Sequence, residues 1–184
     1  LAGQEVSTDI GHVLVFGASR TIDEKITLKG LRKCFPDAAL VWAHPLRGGK
    51  VPRREELCDR LLDAVEIFSS NHTVAENVRA LALWHEYKFT AVSGSDAHAA
   101  DTVGIYPTLF DHSVATIADL VTELRAGRCR PFMKEVPKAG SNVIVTELTI
   151  GTKGQDETRP RYILRTFTNE KKWVRALQTV DLVR

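Results

Sequence analysis

Apolar positions along this chain fall into short runs separated by polar, periodic stretches. His12 to Gly17 (HVLVFG) is a β-branched and aromatic run closed by glycine, and Ala38 to Ala43 (AALVWA) is a second that breaks at the turn-rich HPLRGGKVP. Both predict buried strands. Between them, Ile26, Leu28, Leu31 and Phe35 form a helical stripe that follows the acidic pair Asp23-Glu24. The alternation continues with a helix over Arg54 to Leu62, a strand over Ala64 to Phe68 (AVEIF), a helix over Thr73 to Tyr87 with Val78, Leu81 and Trp84 on one face, and a strand over Thr90 to Val92. A further helix is expected over Ser113 to Ala126, where Val114, Ile117, Leu120, Val121 and Leu124 keep the helical period and Gly127 supplies a stop. Alternating strands and helices predict a parallel sheet with covering helices, an α/β fold.

The pattern changes near residue 135. Pro137 to Asn142 reads as a linker, Val143 to Ile150 and Tyr162 to Phe167 as the strands of a hairpin, and Lys171 to Val183 as a terminal helix. Two domains follow, 1–134 and a C-terminal extension, 135–184.

Composition narrows the function classes. Of 184 residues, 25 are basic and 23 acidic, so no strong field recruits nucleic acid or a membrane surface. Nor is any apolar run near the roughly 20 residues that cross a bilayer. Cys34, Cys58 and Cys129 are odd in number and unpaired by spacing, which favours free thiols and a cytoplasmic location.

Chemistry in an α/β sheet collects at the carboxyl ends of strands. His44 directly follows the run ending at Ala43, and Asp96 and His98 follow the strand Thr90 to Val92 at a spacing that, in extended backbone, aims both side chains to one side. Glu5 and His12 stand near the start. Taken singly, each histidine reads first as a packing residue; jointly, imidazoles and carboxylates at successive strand ends form the donor set of a Zn, Mn or Fe site. His72 follows the strand Ala64 to Phe68 and either lines the cleft or opens the next helix. Arg47 is either a phosphate clamp or a solvated loop charge. His85 and His112 are assigned to structure or surface.

The order and wording of these segments resemble the PHP (polymerase and histidinol phosphatase) family. Gly3-Gln-Glu-Val-Ser-Thr with Gly11-His-Val-Leu-Val-Phe-Gly resembles its second motif, Ala43-His-Pro-Leu-Arg its third, and Ser93-Gly-Ser-Asp-Ala-His its last, while Ala64-Val-Glu-Ile-Phe followed by Asn71 resembles the strand between the last two. The resemblance spans about residues 1–131. It implies a distorted (β/α)7 barrel holding up to three divalent metal ions (Zn, Mn or Fe) that activate water against a phosphoester. On that basis Glu5, His12, His44, Asp96 and His98 are candidate metal ligands, and Glu5, His44, Asp96 and His98 candidate catalytic residues. Arg47 and His72 are candidate substrate-binding residues for a small phosphorylated metabolite or nucleotide. The family's opening H-x-H pair has no counterpart here, so the expected barrel lacks its first strand, and a missing segment or partner is expected to supply it. Two alternatives accompany this phosphatase or phosphodiesterase expectation: a degenerate module that binds metal or a protein without catalysis, and, as a minor one, an accessory nuclease domain of a DNA-processing protein.

Overall fold

The computed structural model describes residues 1–98, 100–104 and 106–132, together with strands at 142–148, 162–169 and 172–179. The chain divides into two compact units, Leu1–Phe132 and Met133–Arg184. The first opens with an antiparallel hairpin, β1 (Gly3–Thr8) and β2 (Gly11–Phe16), paired from Gly3↔Phe16 to Thr8↔Gly11. Its turn closes on Thr8, whose hydroxyl accepts from the Ile10 N–H and donates to the Gly11 carbonyl, and Gly11 takes φ +117°, a conformation that favours glycine. There follow α1 (Leu28–Cys34), β3 (Ala39–Trp42), the single-turn α2 (Arg54–Leu57), β4 (Ala64–Phe68), α3 (Val74–Tyr87), β5 (Ala91–Ser93), β6 (Thr108–Phe110), α4 (Ile117–Arg125) and β7 (Cys129–Pro131).

Five strands form one sheet in the order β1-β2-β3-β4-β5, in which β2 and β3 run antiparallel and β3, β4 and β5 parallel. The alternation in β2 explains its two neighbours. Val13 and Val15 face Leu28, Leu31 and Phe35 around α1, whereas Leu14 and Phe16 join Ala39, Val41 and the α4 residues Leu120, Val121 and Leu124 on the other side. Trp42 and Val65 pack with Leu57 of α2 and with Leu83 and Tyr87 of α3. Every residue of β3 and β4 is buried, as expected of central strands covered on both faces. Burial of a side chain the size of the fully buried Leu31 contributes about 1.5–3 kcal/mol. Arg32 of α1 ties this layer to the sheet: it meets Asp63 at 2.6 Å, and the same carboxylate oxygen accepts the Leu40 N–H at 2.7 Å.

The sheet is open and mixed, which corrects the expected (β/α)7 barrel. Strand β1 pairs only with β2 and β5 only with β4 within this sheet, so its edges do not meet, while β6 and β7 form a separate antiparallel pair. The alternation of strand and helix patterns was misleading at one connection. The 7-residue α1 returns the chain to the end at which β2 finishes, so that Phe16 faces Ala39 and β3 runs back alongside β2. Hydrophobic periodicity identifies strands but does not give their direction.

Local bonding explains the shortened helices. The Asp59 carboxylate accepts the Leu61 N–H at 2.9 Å, a turn that competes with continuation of α2 to Leu62. Helix α4 begins at Ile117, not near Ser113, because Thr116 and Asp119 make a reciprocal cap.

The second unit contains a three-stranded antiparallel sheet of β8 (Asn142–Leu148), β9 (Tyr162–Asn169) and β10 (Lys172–Thr179), ordered β10-β9-β8. Strand β10 replaces the expected terminal helix. Apolar Trp173, Val174, Ala176 and Leu177 satisfy a helical stripe as well as a strand, and pairing with β9 from Lys172↔Asn169 to Thr179↔Tyr162 fixes the extended form. The expected linker at 137–141, the ends Thr149-Ile150, Lys171 and 180–183 of predicted elements, and the side chain of Val78 lie outside the described residues.

Candidate metal site

Strand pairing assembles three potential ligands from distant parts of the sequence. Cross-strand partners Ser7↔His12 and Glu5↔Leu14 put Glu5 and His12 on one face of the hairpin as diagonal neighbours. The Ala43 N–H then donates to the His12 carbonyl at 2.9 Å, bringing the end of β3, and His44 with it, against the start of β2. Glu5 Oε1 lies 2.5 Å from His12 Nδ1 and 3.8 Å from His44 Nε2, and the two imidazole rings meet edge to face at 5.1 Å. The ligand atoms of all three lie within 4.8 Å of one another, the only such group of three among the described residues. Both imidazole nitrogens are buried and lack an aligned hydrogen bond. Two such nitrogens beside a carboxylate are metal-ligand donors, so Glu5, His12 and His44 can hold a metal ion.

His44 occupies an unusual backbone position, with φ +32°. Its N–H donates to Glu66 Oε2 at 2.7 Å, and its carbonyl accepts from the Arg47 N–H at 3.0 Å. Burial lowers the His44 imidazole pKa below its ordinary value, against the opposing pull of Asp96 and Glu5, which favours the neutral ring that a metal requires. His72 is only 3% exposed, and its Nδ1 lies 3.0 Å from Asn77 Oδ1. Burial lowers its pKa too.

Glu66 was not singled out in the sequence, although an acid at the centre of the buried run AVEIF was the available signal. It is 4% exposed, and its carboxyl is pushed up to about 7, first by burial and then by the nearby Asp96 and Glu5, with the His44 N–H opposing. A Cβ at Gly94, just past β5, would collide with the other oxygen of this carboxylate.

Asp96 and His98 behave differently. Asp96 has φ +43°, so the backbone between it and His98 is not the extended one expected. Its Oδ2 accepts from Asn71 Nδ2 at 2.7 Å and lies 3.9 Å from Arg47 Nη1. His98 turns its Nδ1 to the Asp96 backbone carbonyl at 2.9 Å, remains 3.9 Å from the Asp96 carboxylate, and is 78% exposed. Ser70 Oγ also bonds the Ser95 carbonyl, so residues after β4 and β5 are cross-linked here. A cavity of ≈ 360 Å³ adjoins the three-ligand group, walled by Ile10, Trp42 and Pro45 and flanked by Arg47 and Lys50. Of the histidines expected to be structural, His112 pairs with the buried Glu123 at 3.1 Å, and His85 lies within α3.

Residues 74–129 match a family described as PHP-associated. The PHP-associated stretch runs from α3 to the first residue of β7 and contains Asp96 and His98, whereas Glu5, His12 and His44 precede it. No curated protein matches the chain. Among solved structures, the fold is similar to the crystal structure of PsfC from Pseudomonas syringae PB-5123, with a TM-score of 0.59 and 22% identity over 72% of this chain and 58% of that one. This chain therefore spans less than two thirds of PsfC, and the likeness is one of fold. No helix among the described residues is long and apolar enough to cross a membrane.

Proposed function

We propose that this chain carries the metal site of a phosphoesterase of the PHP kind, acting on a small phosphorylated substrate. The observation that carries the proposal is the convergence of Glu5, His12 and His44 on one point, beside a cavity whose charged lining is basic. The PHP-associated match over 74–129 supports the family reading. A divalent ion bound there would lower the pKa of its water and neutralise charge on the phosphoryl oxygens. The protein's own contribution is orientation and charge. Glu5, on paired backbone, sets the carboxylate between two imidazoles; the desolvated His44 keeps its lone pair; Arg47 offers a guanidinium fork to phosphate oxygens within reach of Asp96. Asp96 and His98 are proposed to act from the opposite side of the cleft. The test is hydrolysis of p-nitrophenyl phosphate with and without added Mn²⁺ or Zn²⁺. His44→Ala and Asp96→Ala should each remove the metal-stimulated rate, and His85→Ala should not.

A second reading is a module that binds metal without catalysis. It is favoured by the lack of a second group of three ligands around Asp96 and His98 among the described residues. Bound metal without hydrolysis of any phosphate ester would select it.

A further inference from the structure

Two residues of the cleft, His44 and Asp96, hold left-handed backbone at φ +32° and φ +43°, a region that residues with a Cβ seldom occupy. Such conformations persist where the surroundings over-determine them. Between the two loops, in the middle of β4, lies Glu66, flanked by the buried Val65 and Ile67. One of its oxygens accepts the His44 N–H; the other fills the space that a side chain at position 94 would need. Among the described residues no lysine or arginine pairs with it, and its charged neighbours are the acids Asp96 and Glu5. An apolar residue would pack in a central strand at less desolvation cost, but would leave the buried His44 N–H without its acceptor.

We infer that Glu66 is a positioning residue: its buried carboxylate, wedged between the His44 N–H and Gly94, holds the loops after β3 and β5 so that His44 faces Glu5 and His12 and Asp96 lies across the cleft. The His44 carbonyl is held as well, accepting the Arg47 N–H at 3.0 Å. His44 is thus fixed through its backbone, which leaves its imidazole nitrogen for a ligand. Removing groups that support metal ligands in this way generally weakens metal binding ten- to a hundred-fold. The inference rests on reading Glu5, His12 and His44 as ligands for its functional consequence, but not for the backbone hold itself.

The experiment compares the full chain with Glu66→Gln, which keeps an oxygen for the His44 N–H, with Glu66→Leu, which does not, and with Gly94→Ala, which intrudes on the carboxylate from the other side. Two readouts are taken: hydrogen exchange of the His44 amide in the metal-free protein, and Co²⁺ titration followed by its visible absorption bands. Glu66→Gln should keep the His44 amide protected and Co²⁺ affinity within about threefold of wild type. Glu66→Leu should expose the amide, weaken Co²⁺ at least tenfold and alter the bands, while a distant strand amide such as Val15 stays protected. Should Glu66→Leu not fold, Gly94→Ala carries the same expectation. A His44 amide equally protected in Glu66→Leu and Gly94→Ala overturns the inference, as does Glu66→Gln behaving like Glu66→Leu. Failure of the wild type to bind Co²⁺ counts against the metal reading, and the exchange data still decide the positioning role.

Discussion

The two ends of the cleft are built in different ways. On the β1–β3 side, Glu5, His12 and His44 come from three adjacent strands, and ladder hydrogen bonds between those strands set the distances among them. On the β5 side, Asp96 and His98 share one loop about a left-handed Asp96: the carboxylate accepts from Asn71 and lies 3.9 Å from Arg47, and the exposed imidazole rests against the Asp96 carbonyl, 3.9 Å from its carboxylate. Strand pairing sets Glu5 and His12, while His44, just past β3, is held in addition by the Glu66 carboxylate at its N–H and the Arg47 N–H at its carbonyl. Asp96 and His98 sit on one loop and depend on what else holds that loop, here Asn71 and Arg47.

The largest expected effect breaks the first half. His44→Ala should lower metal-stimulated phosphate ester hydrolysis by at least a hundredfold, measured as initial rates across a metal titration, while circular dichroism shows the fold retained. Asp96→Asn keeps the shape of the side chain and its contact with Asn71 but removes a negative charge facing Arg47. Its rate should fall about tenfold or more, with metal content unchanged. Smaller still, Asn71→Ala frees Asp96 without touching a ligand on either side, and should reduce the rate several-fold while leaving tight metal binding as it was.

A fourth prediction uses a region outside the cleft as a control. Glu123 of α4 is held at about 2, chiefly by Arg128 at 2.6 Å and also by His112. Because this carboxyl is depressed in the folded protein, its stabilisation is present above the ordinary glutamate value and is lost as pH falls through that value towards 2. Glu123→Gln should lower the melting temperature at neutral pH and flatten its decline below about pH 4.5, with metal binding unchanged. If metal binding followed the loss, the two regions would not be separable and the contrast would fail.

Much of the first unit was legible because its signals are local. The runs VLVF, ALVW and AVEIF mark strands of the sheet, and Thr73 opens α3 with a reciprocal cap from Glu76, whereas the cap at Thr116 was passed over and α4 placed from Ser113. Strand direction was not legible: a β-α-β pattern reads the same whether the chain crosses over or returns, so β2 and β3 were expected to run parallel, and the barrel came from the family resemblance alone. The residues of the three-ligand group could be named from their types and from family resemblance, but their convergence depends on the pairing of β1 with β2 and β2 with β3. The left-handed backbone at Asp96, φ +43°, is one that no local residue pattern announced. Glu66 was missed because a lone acid in an apolar run gives no sign of what it meets across the sheet.

The central claim is that the metal-holding capacity of this chain resides in Glu5, His12 and His44. Metal content by elemental analysis after equilibration with Zn²⁺ and removal of free ion tests it most directly, on the wild type, His44→Ala and His98→Ala. One tightly held equivalent is expected in the wild type and in His98→Ala, and almost none in His44→Ala. Equal retention in His44→Ala, or loss that follows His98 instead, would contradict it.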